Sequence, residues 1–328
     1  MVGAALIGAT GMWGPRLAEA AARTPSLRLV TCYGREEEKR RELAARHAID
    51  AAASFDDAIE RDDVDVVLLA TPNDVHAEQA LACADRGKHV FVEKPIADTV
   101  DAAERMRERF EQEGLVLAVG HEMRRLGAAR RVKELLDGET LGTVVLAEAN
   151  WSTPSKLTPK AWRWYRHQAP GGPLLQLGIH HADTLAYWLG AVTEWSGRFA
   201  RLATEAEIDD VGVIDVRFES GAVGVITGSY VSPRTYFLRL YGDRGVVTYT
   251  VDLSVWPFAE RVDGATTLTL RTAEDETRVE FERRDPLAEE LDELARAVRG
   301  ETNFETGAAE GIAALRVVLD AVPEAAPR

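Results

Sequence analysis

Cysteine is nearly missing from this chain: Cys32 and Cys83 are the only two in 328 residues. Two cysteines build neither a disulfide framework nor a cysteine metal cluster, and both fall in apolar segments expected to be core. Long hydrophobic runs are missing too; none approaches the roughly 20 residues of a membrane span. Basic charge is in short supply. Against 54 Asp and Glu stand 39 Lys and Arg, a formal net charge of −15. A nucleic-acid binder needs a basic face for the phosphates, so neither nucleic acid nor membrane is expected as a partner. There is no internal repeat and no low-complexity block. The first residues run straight into a strand pattern, so no signal peptide is expected, and the chain reads as cytoplasmic. What is present, 46% hydrophobic and 28% charged residues, is ordinary for a soluble enzyme with room for two domains.

The first third alternates strand and helix patterns, which predicts a parallel, doubly wound sheet. Strands are expected at 4–7, 27–32, 65–69, 90–92 and 115–119. Helices are expected at 14–23, 36–47, 76–86 (closed by Gly87 as C-cap) and 99–112. After Gly120 the character changes. Helical patterns at 128–137 and 180–189 flank a segment rich in Trp, Pro and Arg. From 194 onward, paired apolar runs separated by glycine turns predict an antiparallel sheet, with strands at 211–218, 222–230, 236–241 and 246–251. Asp285 and Pro286 open a helix whose Leu287, Leu291, Leu294 and Val298 share one face, and a last helix covers 308–322. The expected fold is α/β: a Rossmann domain over 1–120, then a substrate-binding and oligomerisation α/β domain over 121–328, built on an open, mainly antiparallel sheet.

The glycines Gly8, Gly11 and Gly14 lie between the first strand and the first helix. Such a turn lets backbone N–H groups at a helix N-terminus approach a pyrophosphate. The spacing is G-x-x-G-x-x-G rather than G-x-G-x-x-G, with Thr10 as the additional residue. Gly8, Thr10, Gly11, Met12 and Trp13 are therefore candidates to hold a dinucleotide. At the end of the second strand, about 20 residues on, NAD binders place an acid for the ribose. Here the tip reads Tyr33-Gly34-Arg35. Arg35 could pair with a 2′-phosphate, which favours NADP over NAD, although one of Glu36, Glu37 and Glu38 could take the ribose instead. A charged pair, Glu93-Lys94, ends the apolar run His89-Val90-Phe91-Val92 at the sheet edge where ligands bind in such folds.

Thr71-Pro72-Asn73, His76, Gly87-Lys88-His89-Val90, Glu93-Lys94-Pro95 and the later run Gly171 to His180 resemble the Gfo/Idh/MocA oxidoreductases over nearly the whole chain. The resemblance implies that Thr71, Pro72, Asn73 and His76 line the cofactor, with Glu93 near the nicotinamide. It implies that Lys94 is catalytic and touches both cofactor and substrate, and that His180 is the catalytic histidine. It also implies assembly through the outer sheet face, as a homodimer or homotetramer. Many members read Asp-x-Gly-x-His where this chain reads Gln176-Leu177-Gly178-Ile179-His180. Gln176 can hydrogen-bond a hydroxyl but cannot carry a proton at neutral pH, so a Lys–Asp–His relay is not available.

The expected chemistry is hydride transfer between a nicotinamide and a carbinol carbon of a sugar, cyclitol or sugar derivative. An imidazole suits the hydroxyl proton, and an ammonium stabilises the developing alkoxide. His180 and Lys94 fill those roles, and the two could be exchanged. His121, Arg124, Trp162, Arg163 and Gln176 are the further candidates for substrate contact, since aromatic faces stack on sugar rings and arginines fork onto anions. No metal is expected, because the adjacent His180 and His181 point to different faces of a helix. Two rival readings are an NAD-dependent glycosidase of the same fold and a ligand-sensing protein that has lost catalysis.

Overall fold

The computed structural model describes residues 1–155, 157–159 and 162–323. By packing, the chain divides into two units, Met1–Glu122 with Asp285–Ile312, and Met123–Arg284 with Ala313–Arg328.

The first unit holds a six-stranded parallel sheet, ordered β3-β2-β1-β4-β5-β6. Its strands are β1 (Val2–Ile7), β2 (Leu27–Tyr33), β3 (Asp50–Ala51), β4 (Val66–Leu69), β5 (His89–Glu93) and β6 (Leu117–Gly120). The helices between them are α1 (Gly14–Ala22), α2 (Glu37–His47), α3 (Phe55–Ile59), α4 (His76–Ala84) and α5 (Val100–Glu113). Every residue of β1 and β4 is buried, as a sheet covered on both faces requires. Local chemistry explains the helix ends. Thr99 caps α5 by accepting from the Ala102 N–H, and Gly114 closes it at φ 65°. Helix α4 stops at Ala84, short of the expected 86. Gly87 sits three residues beyond it at φ 69°, in the turn where its N–H donates to Ala84 O.

The expected second domain covers everything from 121 onward, whereas residues 285–312 pack with the first unit. Asp285 and Pro286 open α9 (Pro286–Val298) as expected, with Asp285 accepting from the Ala288 N–H. Its buried Leu287, Leu291 and Leu294 are joined by tethers to the first unit. Arg23 donates to Asp285 at 2.7 Å and Ser26 to Asp292 at 2.6 Å.

The second unit is built on eight strands, ordered β14-β13-β12-β11-β7-β10-β9-β8. These are β7 (Val144–Ser152), β8 (Val192–Ala200), β9 (Val211–Phe218), β10 (Val223–Ser229), β11 (Thr235–Gly242), β12 (Val246–Val251), β13 (Thr266–Arg271) and β14 (Glu276–Arg278). All pairings are antiparallel except β7 with β10. Strand β9 alternates strictly: Gly212, Ile214, Val216 and Phe218 are buried, while Asp215 and Arg217 are exposed. Helices α6 (Gly127–Asp137), α7 (Ile179–Leu189) and α8 (Ala259–Val262) belong to this unit, and the division between units falls within α10 (Ala308–Leu319). The Trp188 indole N–H donates to Ala129 O at 3.0 Å and joins α7 to α6. The cap of α6 comes from far along the chain: Asp263 accepts from the Gly127 and Ala128 N–H groups. Among the described residues, no helix is long and apolar enough to cross a membrane.

Candidate active site

In the first unit the glycine turn follows β1. Gly8 lies at φ 86°, and a side chain there would strike Ala70 O at 2.4 Å. Only glycine combines that backbone with that approach. Gly8 and Ala9 donate to Tyr33 O at 2.9 and 3.0 Å, and Gly11 donates to Gly8 O at 2.9 Å. Trp13 stands at the N-cap position of α1 without a side-chain cap bond, and the first turn contains a proline. Met12 stands exposed at the turn, and the Arg16 guanidinium lies 5.7 Å from the Trp13 ring centre. The β2 tip presses on the same turn, since a side chain at Gly34 would meet the Thr10 side chain at 2.7 Å. Arg35 follows it, exposed. Arg40 donates to Gly34 O at 2.9 Å and lies over the Tyr33 ring.

The next loops along the sheet edge are braced by His76. Its buried imidazole places Nδ1 3.0 Å from Pro95 O and Nε2 2.9 Å from Thr71 O. It thereby joins the loop after β4 to the loop after β5. Burial pulls its pKa down, against those two carbonyls. Thr71 donates to Gln79 at 2.7 Å, and Asn73 is buried in the short turn after Pro72.

Glu93 ends β5, 4% exposed. Burial is the main cause that pushes its carboxyl up, to about 8; Glu122 adds to the rise and Lys94 opposes it. Glu122 and His121 are buried just beyond β6, the strand that pairs with β5 through Glu93 and Gly120. Lys94 is half-buried beside them. The Glu93 Oε2 has no hydrogen-bond partner among the described residues. A buried acceptor in that condition is costly unless a ligand donor reaches it. A glycine turn at a helix N-terminus, with an unanswered acceptor two strands along the same sheet edge, fits a dinucleotide.

In the second unit, Leu174–Gly178 winds as a short π-helix leading into α7. Single π turns inside helices are frequent at functional sites. The segment carries Gln176, 7% exposed, with His180 fully buried in the first turn of α7. Arg163 Nη2 donates to Gln176 Oε1 at 3.5 Å. It also donates to the Tyr230 hydroxyl, which burial pushes up to about 12 against that guanidinium. Trp162 opens the short turn before Arg163, and its side chain lies outside the described residues. The Arg124 guanidinium closes a bidentate pair on Asp183, at 2.6 and 2.8 Å, with both residues at most 5% exposed. It also lies 5.1 Å from the Tyr187 ring centre. His181 is neutral at pH 7, because burial drives its pKa to about 4. Among the described residues, no three His, Cys, Asp or Glu could hold a metal ion together.

Three aromatic residues around His180 were not singled out from the sequence. Trp151, fully buried on β7, lies 5.4 Å from the His180 ring centre. Trp256, half-buried in the connection from β12 to β13, stands edge-on to both, at 4.7 Å from Trp151 and 6.4 Å from His180. Tyr236 packs on Trp151 at 5.0 Å. The one signal that could have found Trp256 is an aromatic-rich run, Trp256-Pro257-Phe258, inside a connection that had no need of one.

Residues 2–121 match an oxidoreductase family, GFO/IDH/MocA, with an NAD-binding Rossmann fold, and residues 129–248 match the GFO/IDH/MocA C-terminal domain. The chain is 26% identical over 283 residues to the 1,5-anhydro-D-fructose reductase of Ensifer adhaerens, spanning 84% of this chain and 82% of that protein. It is 35% identical to a crystal structure from Desulfitobacterium hafniense, provisionally described as an NADPH-dependent oxidoreductase. That match covers 98% of this chain and 94% of the other, at a TM-score of 0.94. Levoglucosan dehydrogenase, solved with NADH and levoglucosan, shares the fold at a TM-score of 0.83 and 20% identity, over 98% and 96% of the two chains. Both halves having matched the same family, the chain belongs to the Gfo/Idh/MocA oxidoreductases.

Proposed function

We propose that this protein is a dehydrogenase or reductase that moves a hydride between NADP or NAD and a ring CH–OH of a sugar, cyclitol or sugar derivative. The observation that carries this reading is Glu93-Lys94 at the tip of β5, with its buried carboxyl and unanswered Oε2. Bound at that edge, the dinucleotide supplies the hydride acceptor or donor. The backbone of Gly8, Thr10, Gly11, Met12 and Trp13 holds the pyrophosphate. Gly34 and Arg35 face the adenosine ribose, and Thr71, Pro72 and Asn73 line the cofactor further along. His76 keeps those last loops in place.

In this reading the Lys94 ammonium stabilises oxyanion charge on the reacting hydroxyl, and the His180 imidazole accepts or returns its proton. Gln176, an amide, binds and orients without relaying a proton. Trp256, half-buried beside His180, supports a ring-shaped substrate, since aromatic faces pack well on apolar ring faces. The D. hafniense structure, with its NADPH description, supports NADP as the cofactor.

We further propose a cytoplasmic homodimer or homotetramer. Its surface would be the outward face of the eight-stranded sheet, where Val211, Val213, Val223 and Val225 stand partly or fully exposed. Lys94→Ala and His180→Ala test the enzymatic reading. Each should lower turnover about 10²–10⁴-fold while NADPH still binds, as read by energy transfer from tryptophan to the nicotinamide. Failure of the wild type to bind either cofactor at millimolar concentration would refute it.

A further inference from the structure

We propose that β8, an edge strand of the second unit, pairs antiparallel with β8 of a second copy of this chain, about a two-fold axis at Ser196. This contact is separate from the open-face assembly proposed above and does not depend on the catalytic reading. The eight-stranded sheet has two edges, β14 and β8. β14 is three residues long, Glu276-Thr277-Arg278, all exposed. Such short, charged edges discourage pairing. β8 runs over nine residues and contains neither lysine nor proline. Its outer backbone groups are open. The Phe218 N–H donates to Ala222 O at 2.9 Å, so even-numbered positions of β9 bond to β10 and odd-numbered ones to β8. Those odd positions stand opposite Glu194, Ser196 and Arg198. The N–H and C=O groups of Trp195, Gly197 and Phe199 therefore point out of the edge. No backbone bond reaches them there among the described residues.

The side chains fix the occupant as a second copy. An antiparallel copy centred on Ser196 sets Glu194 opposite the partner's Arg198, and Arg198 opposite the partner's Glu194. Moving the axis by one residue sets Glu194 against Ser196 or Ala200 instead, so a single register pairs the charges. Glu194, Ser196 and Arg198 are all exposed, on the face that also carries Asp215 and Arg217. Within the chain Arg217 lies 3.5 Å from Glu194, and Arg198 has no ion-pair partner among the described residues. The second copy completes a row of alternating sign: Arg217, Glu194, then the partner's Arg198. Opposite charges facing each other across strands stabilise a pair, and like charges oppose it. Trp195 and Gly197 exchange backbone hydrogen bonds on either side of the axis, which answers the open groups of the edge.

Ser196→Cys tests the axis. Ser196 turns its own backbone groups to β9, so the two copies meet there as a non-hydrogen-bonded pair, about 4.5 Å apart at Cα, within disulfide reach. The native Cys32 and Cys83 are buried. Under mild oxidation at micromolar protein, Ser196→Cys should give a covalent dimer on non-reducing gels. Asp215→Cys, one strand further in, should not. Adding Glu194→Arg to Ser196→Cys should cut the yield about 10-fold, the order for two exposed ion pairs lost, and adding Arg198→Glu should do the same. Mixed one to one, these two reversed proteins become complementary and should cross-link again. Sedimentation of Glu194→Arg, Arg198→Glu and their mixture, with no added cysteine, should lose and regain one association step in the same order. No cross-link, equal yield with and without a single reversal, or no recovery on mixing overturns the inference. Cross-linking through Asp215→Cys alone also overturns it and assigns assembly to the open face.

Discussion

The two sheets solve the same packing problem in opposite ways. In the first, β1 and β4 are buried along their whole length. Those two strands carry no polar side chain, and the candidate chemistry lies at the strand tips: Arg35 after β2, Glu93 and Lys94 at β5, Glu122 beyond β6. In the second, one face is buried and the other is open. Polar side chains there stand in rows on the strands themselves. Tyr241 donates to Glu148 at 2.6 Å across β11 and β7, and Arg239 donates to Thr248 at 3.2 Å across β11 and β12. The candidate catalytic groups of that unit come instead from α7 and from the connections. A buried sheet thus concentrates polar function at its ends, and at the β5 tip burial shifts the Glu93 carboxyl upward.

Glu93 at such a tip gives the largest expected effect. Its carboxyl rises from the ordinary 4.5 to about 8 in the folded protein. The folded state keeps a proton that the unfolded state has already released, so its contribution is intact below about 4.5 and is lost as pH rises through 8. Within that window the slope approaches about 1.4 kcal/mol per pH unit. Glu93→Gln carries no such charge. Urea midpoints of the cofactor-free protein should show the variant more stable than the wild type by several kcal/mol at pH 8, with the gap closing toward pH 4.5. Parallel profiles would mean that the strand tip is better solvated than its burial indicates.

The next effect contrasts the sheets directly. Leu68 is fully buried in β4, between Leu6 of β1 and Phe91 of β5. Leu68→Ala should cost about 2–5 kcal/mol, the range for an emptied core site. Val225 lies on the open face of β10, beside Glu148 and Asp215 on the neighbouring strands. Val225→Thr should cost no more than about 0.5 kcal/mol if that face meets water. If a second copy covers it, stability should depend on protein concentration in the wild type, and Val225→Thr should weaken that dependence. Sedimentation run beside the denaturation series tells the two cases apart.

Much of this was legible in the sequence because its causes are local. The Gly8 to Gly14 turn, the caps of α5 and α9, and strict alternation over Val211–Phe218 are all written within a few residues. The candidate residues of the first unit are local in the same sense, since they follow directly on strand ends. What escaped depends on distance along the chain. Strand β7 is half-buried with weak alternation and pairs with β10 and β11, both far downstream. Asp263 caps α6 from 136 residues away. The apolar stripe of α9 fits any apolar surface, so nothing in it announces which unit it joins. Trp256 reaches His180 only because β12 and β13 bring their connection there. The partner of Arg124 was equally hidden, because Asp183 lies on another helix.

The smallest expected effect concerns cofactor choice, and it isolates one strand tip without disturbing the sheet. Gly34 is pinned against Thr10 of the glycine turn, and the Gly34 carbonyl is held by Arg40. The backbone beneath Arg35 is therefore fixed, while its side chain is exposed. Replacing it should leave the unfolding midpoint unchanged. If the guanidinium grips a 2′-phosphate, Arg35→Ala removes a charge-assisted contact worth roughly 1.5–3 kcal/mol. NADP affinity should fall by about one to two decades, while NAD affinity stays within a factor of two or so of the wild type, because NAD has no group there to lose. Arg35→Glu should go further and favour NAD, by repelling the phosphate and offering the ribose an acceptor. Equal weakening of both cofactors would assign Arg35 to the shape of the loop. The preference for NADP would then have to come from elsewhere on that edge, with Arg40, already stacked on Tyr33, the next cation to replace.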